Sequence, residues 1–325
     1  MSNRSGPNPF IRPPRLRFGD TVGIVAPSSP PGDPAAVDRA LAAMEKLGFK
    51  PRLARHARQR LGFLAGTDAQ RAADIMEMFM DGGVKAIFCL RGGYGSGRLL
   101  RQLDFSSIRK HPKIFVGYSD ITALQCALLT QARLISFHGP MLANKLAGKG
   151  APAFTVQSLL RTVMERAPAG VIRAGYDGRS VRVIRGGKAA GPLIGGNLSL
   201  LCATLGTPYQ PDFRGAILFF EDIGEAPFRL DRMLTHLLNA GVLQQAAGVA
   251  IGVNQNCREK TANQIREYRQ KEADVLEERL RPLKIPVVAG LPFGHGPWNA
   301  TLPIGTEAKL DGGSGDLVIK EAAVS

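Results

Sequence analysis

A serine, a histidine and a carboxylate, each at or near the end of an apolar run, are the residues of this sequence best suited to acyl transfer. Ser119 sits in Gly117-Tyr118-Ser119-Asp120, between an apolar run ending at Val116 and an apolar-faced stretch from Asp120 to Thr130. A serine on a sharp strand-to-helix turn exposes its Oγ near the positive end of a helix, which is how a nucleophile elbow works. The elbow pattern G-x-S-x-G is incomplete, because Ile121 stands where the second glycine belongs. The competing reading is that Ser119 only caps the helix that follows.

A serine nucleophile needs a base, and the base needs an orienting acid. Of the five histidines, His56 and His111 fall in apparent loops, His236 reads as a packed helix residue, and His138 follows a strand. His295 lies between Gly294 and Gly296, on a tightly turned loop near the only tryptophan, Trp298, and is the candidate base. Glu221 ends the buried run Ile217 to Phe220 and is the candidate acid. For His295 a structural role stays open, and for Glu221 a role in capping the next helix. Arg91 to Arg98 (RGGYGSGR) fits neither G-x-G-x-x-G nor G-x-x-x-x-G-K-[ST], so a nucleotide cradle is not indicated. Its glycines instead suit backbone N–H groups presented to an oxyanion. No His/Asp/Glu cluster has metal-ligand spacing and the four cysteines form no C-x-x-C pair, so neither a metal nor another cofactor is expected.

These residues need a frame. Thr21 to Ala26, Lys85 to Leu90, Ile114 to Val116 and Leu134 to Phe137 read as strands. They alternate with helices over Asp33 to Leu47, Asp68 to Met80 (capped by Thr67) and Asp120 to Thr130. That alternation implies βαβ units and an N-terminal parallel sheet of flavodoxin or Rossmann type. The second half reads as a mixed, β-rich α/β domain with strands at Val181 to Ile184, Ala216 to Phe220, Gly248 to Val253, Pro286 to Ala289, Glu307 to Leu310 and Asp316 to Ile319. Helices are expected at Phe228 to Asn239 and, as a salt-bridged surface helix, at Lys260 to Arg281. The predicted division is a disordered basic tail (1–17), a domain with the nucleophile (18–145), a linker with one short helix (146–174) and a domain with Glu221 and His295 (175–325).

Length and composition bound the rest. The 325 residues suit two domains, and 44% hydrophobic with 21% charged residues is a globular balance. The net charge of +15 first suggests a nucleic-acid or anionic-membrane partner. Nine of those charges lie in the first 17 residues and in Lys50 to Arg60, and 50–61 contain no aromatic to stack on bases. No apolar run approaches the roughly 20 residues of a membrane span, and no secretory signal is evident. A cytoplasmic protein without nucleic-acid or membrane partners is expected.

Six segments taken in order, RGGYGSGRLL, VGYSDITAL, SFHGPM, GGNLSLL, FFEDIGEAPFRLDRML and GLPFGHGPWNATLPIG, resemble the LD-carboxypeptidase family, the S66 serine peptidases that trim murein tetrapeptides. The resemblance covers nearly all of the chain outside the N-terminal tail. It implies an active site at the interface of the two domains, with Ser119 as nucleophile, His295 as base and Glu221 as acid. It implies hydrolysis of the bond between meso-diaminopimelate and terminal D-alanine in peptidoglycan recycling. On this reading the oxyanion hole combines the backbone N–H of Asp120 with one from Gly92-Gly93. Arg91, Tyr118 and Asn197 are expected to touch substrate; for Arg91 an ion pair within the protein, and for Asn197 a helix cap, are the alternatives. A homodimer is expected. The family's branch resembling microcin C immunity peptidases, which cleave an aminoacyl-nucleotide, is the alternative function, with Trp298 as a base-stacking residue.

Overall fold

Each apolar run of the first half becomes a strand of one sheet. The computed structural model describes residues 10–147, 151–173, 181–258 and 270–325. Strands β1 (Thr21–Val25), β2 (Lys50–Leu53), β3 (Val84–Cys89), β4 (Ile114–Gly117) and β5 (Ser136–His138) pair in parallel in the order β2-β1-β3-β4-β5. This is the flavodoxin-type order, in which ligands gather at the carboxyl ends of the strands flanking the switch between β1 and β3. The helices that cover the sheet follow from local sequence. Thr67 accepts from the Gln70 backbone while the Gln70 side chain accepts from the Thr67 backbone, closing a capping box on helix Asp68–Met80. Helix Ala35–Lys46 buries Ala36, Val37, Ala40 and Met44, one stripe of a 3.6-residue period.

The second half builds an eight-stranded sheet around its own core. Its strands are β6 (Pro168–Ile172), β7 (Arg182–Arg185), β8 (Lys188–Asn197), β9 (Ile217–Glu221), β10 (Gly248–Val253), β11 (Val287–Gly294), β13 (Glu307–Asp311) and β14 (Asp316–Ala322), while β12 (Leu302–Ile304) lies elsewhere. The order is β6-β14-β13-β8-β9-β10-β11-β7, with β8 to β11 parallel and the flanks antiparallel. Leu218, Phe219, Phe220, Ile251 and Val288 are fully buried within it. The ten-residue β8 is not among the strands expected from sequence. Its composition is small-residue because neighbours approach closely: a methyl on Gly195 would stand 1.8 Å from the Phe219 carbonyl oxygen. β2, at the start of the basic stretch Lys50 to Arg60, is likewise not among the expected strands; it is an edge strand whose residues alternate between exposed and half-buried, and it tolerates Pro51.

Four further expectations are corrected. The tail is not disordered from residue 10 onward: Leu16 is buried, its N–H donates to the Val163 carbonyl (2.9 Å), and Ser325 donates to Pro13 (2.9 Å). Residues 1–9 lie outside the described residues. Within the expected linker, helix Ala153–Met164 sends Leu159 and Val163 into the first core and β6 edges the second sheet, so it is built into both halves. The division into 18–145 and 175–325 is crossed by β12, which pairs antiparallel with β5, and by Ala323 and Val324, which join the first core. The helix expected from Asp120 to Thr130 is three pieces: a 3₁₀ turn Ser119–Ile121, helix Thr122–Ala127 and a π turn Leu128–Ala132. Of the expected surface helix, the described part is Glu272–Leu280, which buries Val275, Leu276 and Leu280; 259–269 lie outside the described residues.

Candidate active site

Ser119 occupies the bend directly after β4. Its backbone φ is +63°, a left-handed conformation that costs a residue with a Cβ about 1 kcal/mol or more. The bend is tight because Gly117 has no side chain: a methyl there would meet Ile121 Cγ2 at 2.7 Å. Ile121 therefore fills the space above Gly117, which is how an elbow forms without the second glycine. Tyr118, Ser119 and Asp120 are carried on it.

The candidate base comes from the other half. β11 delivers His295, whose Nε2 lies 3.1 Å from Ser119 Oγ and whose Nδ1 lies 2.6 Å from Glu221 Oε2. The same carboxylate oxygen accepts the His295 backbone N–H at 3.1 Å. Because Nδ1 faces a carboxylate, that nitrogen carries the proton and Nε2 offers its lone pair to the serine hydroxyl. Glu221 ends β9, is fully buried, and among the described residues its Oε1 has no hydrogen-bond partner. Gly294 makes the approach possible: at φ +92°, a methyl there would stand 2.5 Å from Glu221 Cγ. The three residues thus form a continuous line from acid to imidazole to hydroxyl, spanning both sheets.

Around the serine, Gly92 keeps a space open. A methyl at Gly92 would lie 3.1 Å from Ser119 Cβ, 3.3 Å from its Oγ and 3.4 Å from the Asp120 amide nitrogen. Gly93 packs on Ser29, where a methyl would meet Oγ at 2.4 Å. Asp120, proposed from sequence only for its amide, has a buried side chain with a second task. Its Oδ2 accepts from Ser28 Oγ (2.6 Å) and from the Ser96 amide (2.8 Å), while its carbonyl accepts from Ser96 Oγ (2.5 Å). One carboxylate thereby fastens the loops after β1 and β3 to the elbow. The sequence reading missed Ser28 and Ser96. Ser28 was findable, since Pro27-Ser28-Ser29-Pro30 follows the strand at a switch point.

The three expected substrate residues are all engaged within the protein. Arg91 donates to the Pro30 carbonyl at 2.8 Å. Asn197 takes the capping alternative: its Oδ1 accepts from the Leu200 amide (3.3 Å), its Nδ2 donates to Asp222 (2.9 Å), and it is nearly fully buried. Tyr118 is 2% exposed and lays its ring 4.8 Å from that of His295, a wall for the imidazole and not an open face for substrate. Burial, with Glu221 adding to it, pushes the Tyr118 phenol well above its ordinary range, so it stays neutral. His138, behind Tyr118 and against Phe219 and Phe293, is fully buried, and among the described residues neither ring nitrogen has a hydrogen-bond partner; burial pushes it down to about 3. The remaining histidines stand apart from this line: His56 bonds Asp74 (2.8 Å), His111 bonds the Ser107 carbonyl (3.0 Å), and His236 lies on the exposed face of its helix, not packed as expected. Among the described residues no group of three or more His, Cys, Asp or Glu could hold a metal ion, and no helix is long and apolar enough to cross a membrane.

Comparison with known proteins gives the same frame a family. Residues 22–139 match the LD-carboxypeptidase N-terminal domain and residues 190–310 the LD-carboxypeptidase C-terminal domain. The chain is 41% identical over 318 residues to a probable murein peptide carboxypeptidase of Bacillus subtilis, covering 97% of this chain and 95% of that one. It is similar to the crystal structure of muramoyltetrapeptide carboxypeptidase from Oxalobacter formigenes, with a TM-score of 0.80 and 32% identity over 93% of this chain and 99% of that one. It is also similar to MccF in complex with glutamyl sulfamoyl guanosine, with a TM-score of 0.86 and 25% identity over 97% and 99% of the two chains. On the strength of both matched domains and of a relative this similar along nearly its whole length, the chain belongs to the LD-carboxypeptidase family, S66, and is a serine-type carboxypeptidase.

Proposed function

We propose that this enzyme hydrolyses the bond between meso-diaminopimelate and the terminal D-alanine of murein tetrapeptide, with Ser119 as nucleophile, His295 as base and Glu221 as orienting acid. The observation that carries the reading is the hydrogen-bonded line Glu221–His295–Ser119 on a strained elbow. His295 Nε2 takes the hydroxyl proton as Ser119 Oγ attacks the carbonyl carbon of the diaminopimelate L-centre. The imidazolium returns that proton to the departing amine of D-alanine. Water, deprotonated by the same nitrogen, then releases the tripeptide and restores the serine. Glu221 holds the tautomer and offsets the positive charge on the ring. The amides of Asp120 and of Gly92 or Gly93 receive the oxyanion in the space that Gly92 leaves free.

That space gives a direct prediction. Gly92→Ala keeps its own N–H but puts a methyl beside Ser119 Oγ and the Asp120 amide, so it is expected to keep the oxyanion off its donors and lower kcat for D-alanine release about 100-fold or more. Its melting temperature should stay near wild type, because the methyl enters the space beside the serine and not the core. A variant with wild-type kcat would show that the oxyanion lies elsewhere.

A second reading has its own support in the likeness to MccF bound to glutamyl sulfamoyl guanosine and in Trp298, three residues after His295. It makes the substrate an aminoacyl-nucleotide. Mass spectrometry after incubation with L-Ala-γ-D-Glu-meso-Dap-D-Ala and, separately, with glutamyl sulfamoyl guanosine decides between them. Loss of D-alanine from the tetrapeptide is expected. Cleavage of the nucleoside compound alone would overturn the murein reading.

A further inference from the structure

Lys145 belongs to the first half of the chain, in the π turn Leu142–Leu146 beyond β5. Its Nζ reaches across to the other half and donates to the carbonyls of His295 (3.3 Å) and Gly296. The turn itself is tied down at the opposite end, where the Ala143 N–H donates to the Leu90 carbonyl (2.9 Å), directly before Arg91 and Gly92. One short turn therefore connects the loop beside the nucleophile with the loop that carries the imidazole. Ammonium groups are compact, strongly hydrated charges that are costly to withdraw from water. Partial burial holds the Lys145 ammonium below its ordinary range, and Glu221 acts in the opposite sense. Glu221 in turn is a buried carboxylate whose Oε1 has no hydrogen-bond partner among the described residues, so a nearby cation answers a charge that hydrogen bonds leave half satisfied.

We propose that Lys145 is a positioning residue for this reaction: its ammonium fixes the His295 loop against the nucleophile's half and supplies a cation beside the Glu221–His295 pair. The inference rests on the reading of Ser119, His295 and Glu221 given above. The other titratable groups facing that pair come from three elements. Tyr118 follows β4 and His138 ends β5, and both are neutral because burial disfavours their charged forms. Asp222, after β9, raises the local negative potential at Glu221, but its oxygens are occupied by Asn197, Ser199 and the Ile223 amide. Lys145 is thus a positive charge set against Glu221, whose other acidic neighbour Asp222 is already engaged. Without it, protonation of the imidazole becomes easier, and the ring spends more of its time in the form that cannot accept the serine proton.

The test compares Lys145→Met and Lys145→Arg with wild type, using D-alanine release from the tetrapeptide across pH and an NMR titration of the His295 ring in the intact enzyme. For Lys145→Met, kcat is expected to fall about tenfold or more, since small displacements of a base carry costs of this size. KM should change less than about threefold, because the contact is made within the protein and not to substrate. The acidic limb of kcat/KM and the ring titration should both move to higher pH, whereas Lys145→Arg keeps the charge and should restore the limb and most of kcat. An unmoved limb overturns the proposal, whether kcat is unchanged (no role) or reduced (a mechanical tie only). Should Lys145→Met fail to fold, Lys145→Gln, which keeps a donor without the charge, takes its place; failure of both makes the residue a structural strut and also overturns it. The two readings separate cleanly. If Ser119→Ala or His295→Ala still releases D-alanine, the triad reading fails. If both lose release while Lys145→Met keeps its limb, only the Lys145 proposal does.

Discussion

Ser119→Ala is expected to reduce kcat for D-alanine release by at least about 10⁴-fold, equivalent to roughly 5.5 kcal/mol of transition-state stabilisation. The magnitude follows from what remains. Without Oγ the acyl-enzyme cannot form, and the Asp120 and Gly92–Gly93 amides, together with substrate binding, give only the residual acceleration of water attack. Folding should be little affected. Alanine adopts φ near +63° no more easily than serine does, and Ser119 is only partly buried, so no sizeable cavity is opened. The measurement is twofold: D-alanine release by mass spectrometry, and stoichiometric labelling by a fluorophosphonate, which should mark the wild type at Ser119 and leave the variant unlabelled. A variant within tenfold of wild-type activity would mean that the nucleophile is another group. The strain at this residue then has a purpose, since a left-handed bend turns Oγ out of the sheet toward His295.

Glu221→Gln is expected to cost about 10³- to 10⁴-fold in kcat, the range seen when a triad carboxylate becomes an amide. The cause is the tautomer. Glu221 Oε2 accepts from both His295 Nδ1 and the His295 amide, and the carboxylate has no open side through which solvent could compensate. An amide placed with its NH₂ toward Nδ1 forces the ring proton onto Nε2, where it points at Ser119 and leaves no lone pair for the hydroxyl. Placed the other way it keeps the tautomer but no longer offsets the imidazolium charge. Glu221→Asp separates geometry from charge: it keeps the anion but shortens the reach by one methylene, and should fall between wild type and the glutamine variant. Circular dichroism and thermal melting check that the pairing of β9 and β11 with β10, which lies between them, survives. Equal activities of Glu221→Gln and wild type would remove the acid from the mechanism and leave Glu221 as the end of a strand.

Parts of this arrangement were legible before any coordinates. Thr67 announces a helix start because an N-cap is local chemistry; the structure adds Gln70, three positions on, which closes the capping box. Val116 before Gly117-Tyr118-Ser119 and Ile217 to Phe220 before Glu221 announce strand ends, because apolar runs stop where the chain leaves a core. β8 was hidden for the opposite reason. Its glycines and alanines carry no hydrophobic period, and their meaning lies in the Phe219 and Gly215 backbones that approach them. The ordered residues 10–17 were hidden too, since a proline-rich basic segment looks solvated until Val163 and Ser325 are seen to hold it.

By itself the sequence determined the residue types, their order along the chain and the elements that end at each of them, all of which depend on neighbours a few positions away. It named Ser119, His295 and Glu221 as candidates, each with a structural alternative left open. Only the tertiary structure decided that these three lie within hydrogen-bond distance, that Asn197 is a cap, that Tyr118 backs the imidazole, and that Asp120 and Lys145 tie the loops together. The reason is one of range. Ser119 and His295 are separated by 176 positions, and what joins them is the pairing of β12 with β5 and the packing of two sheets, interactions that no local pattern records.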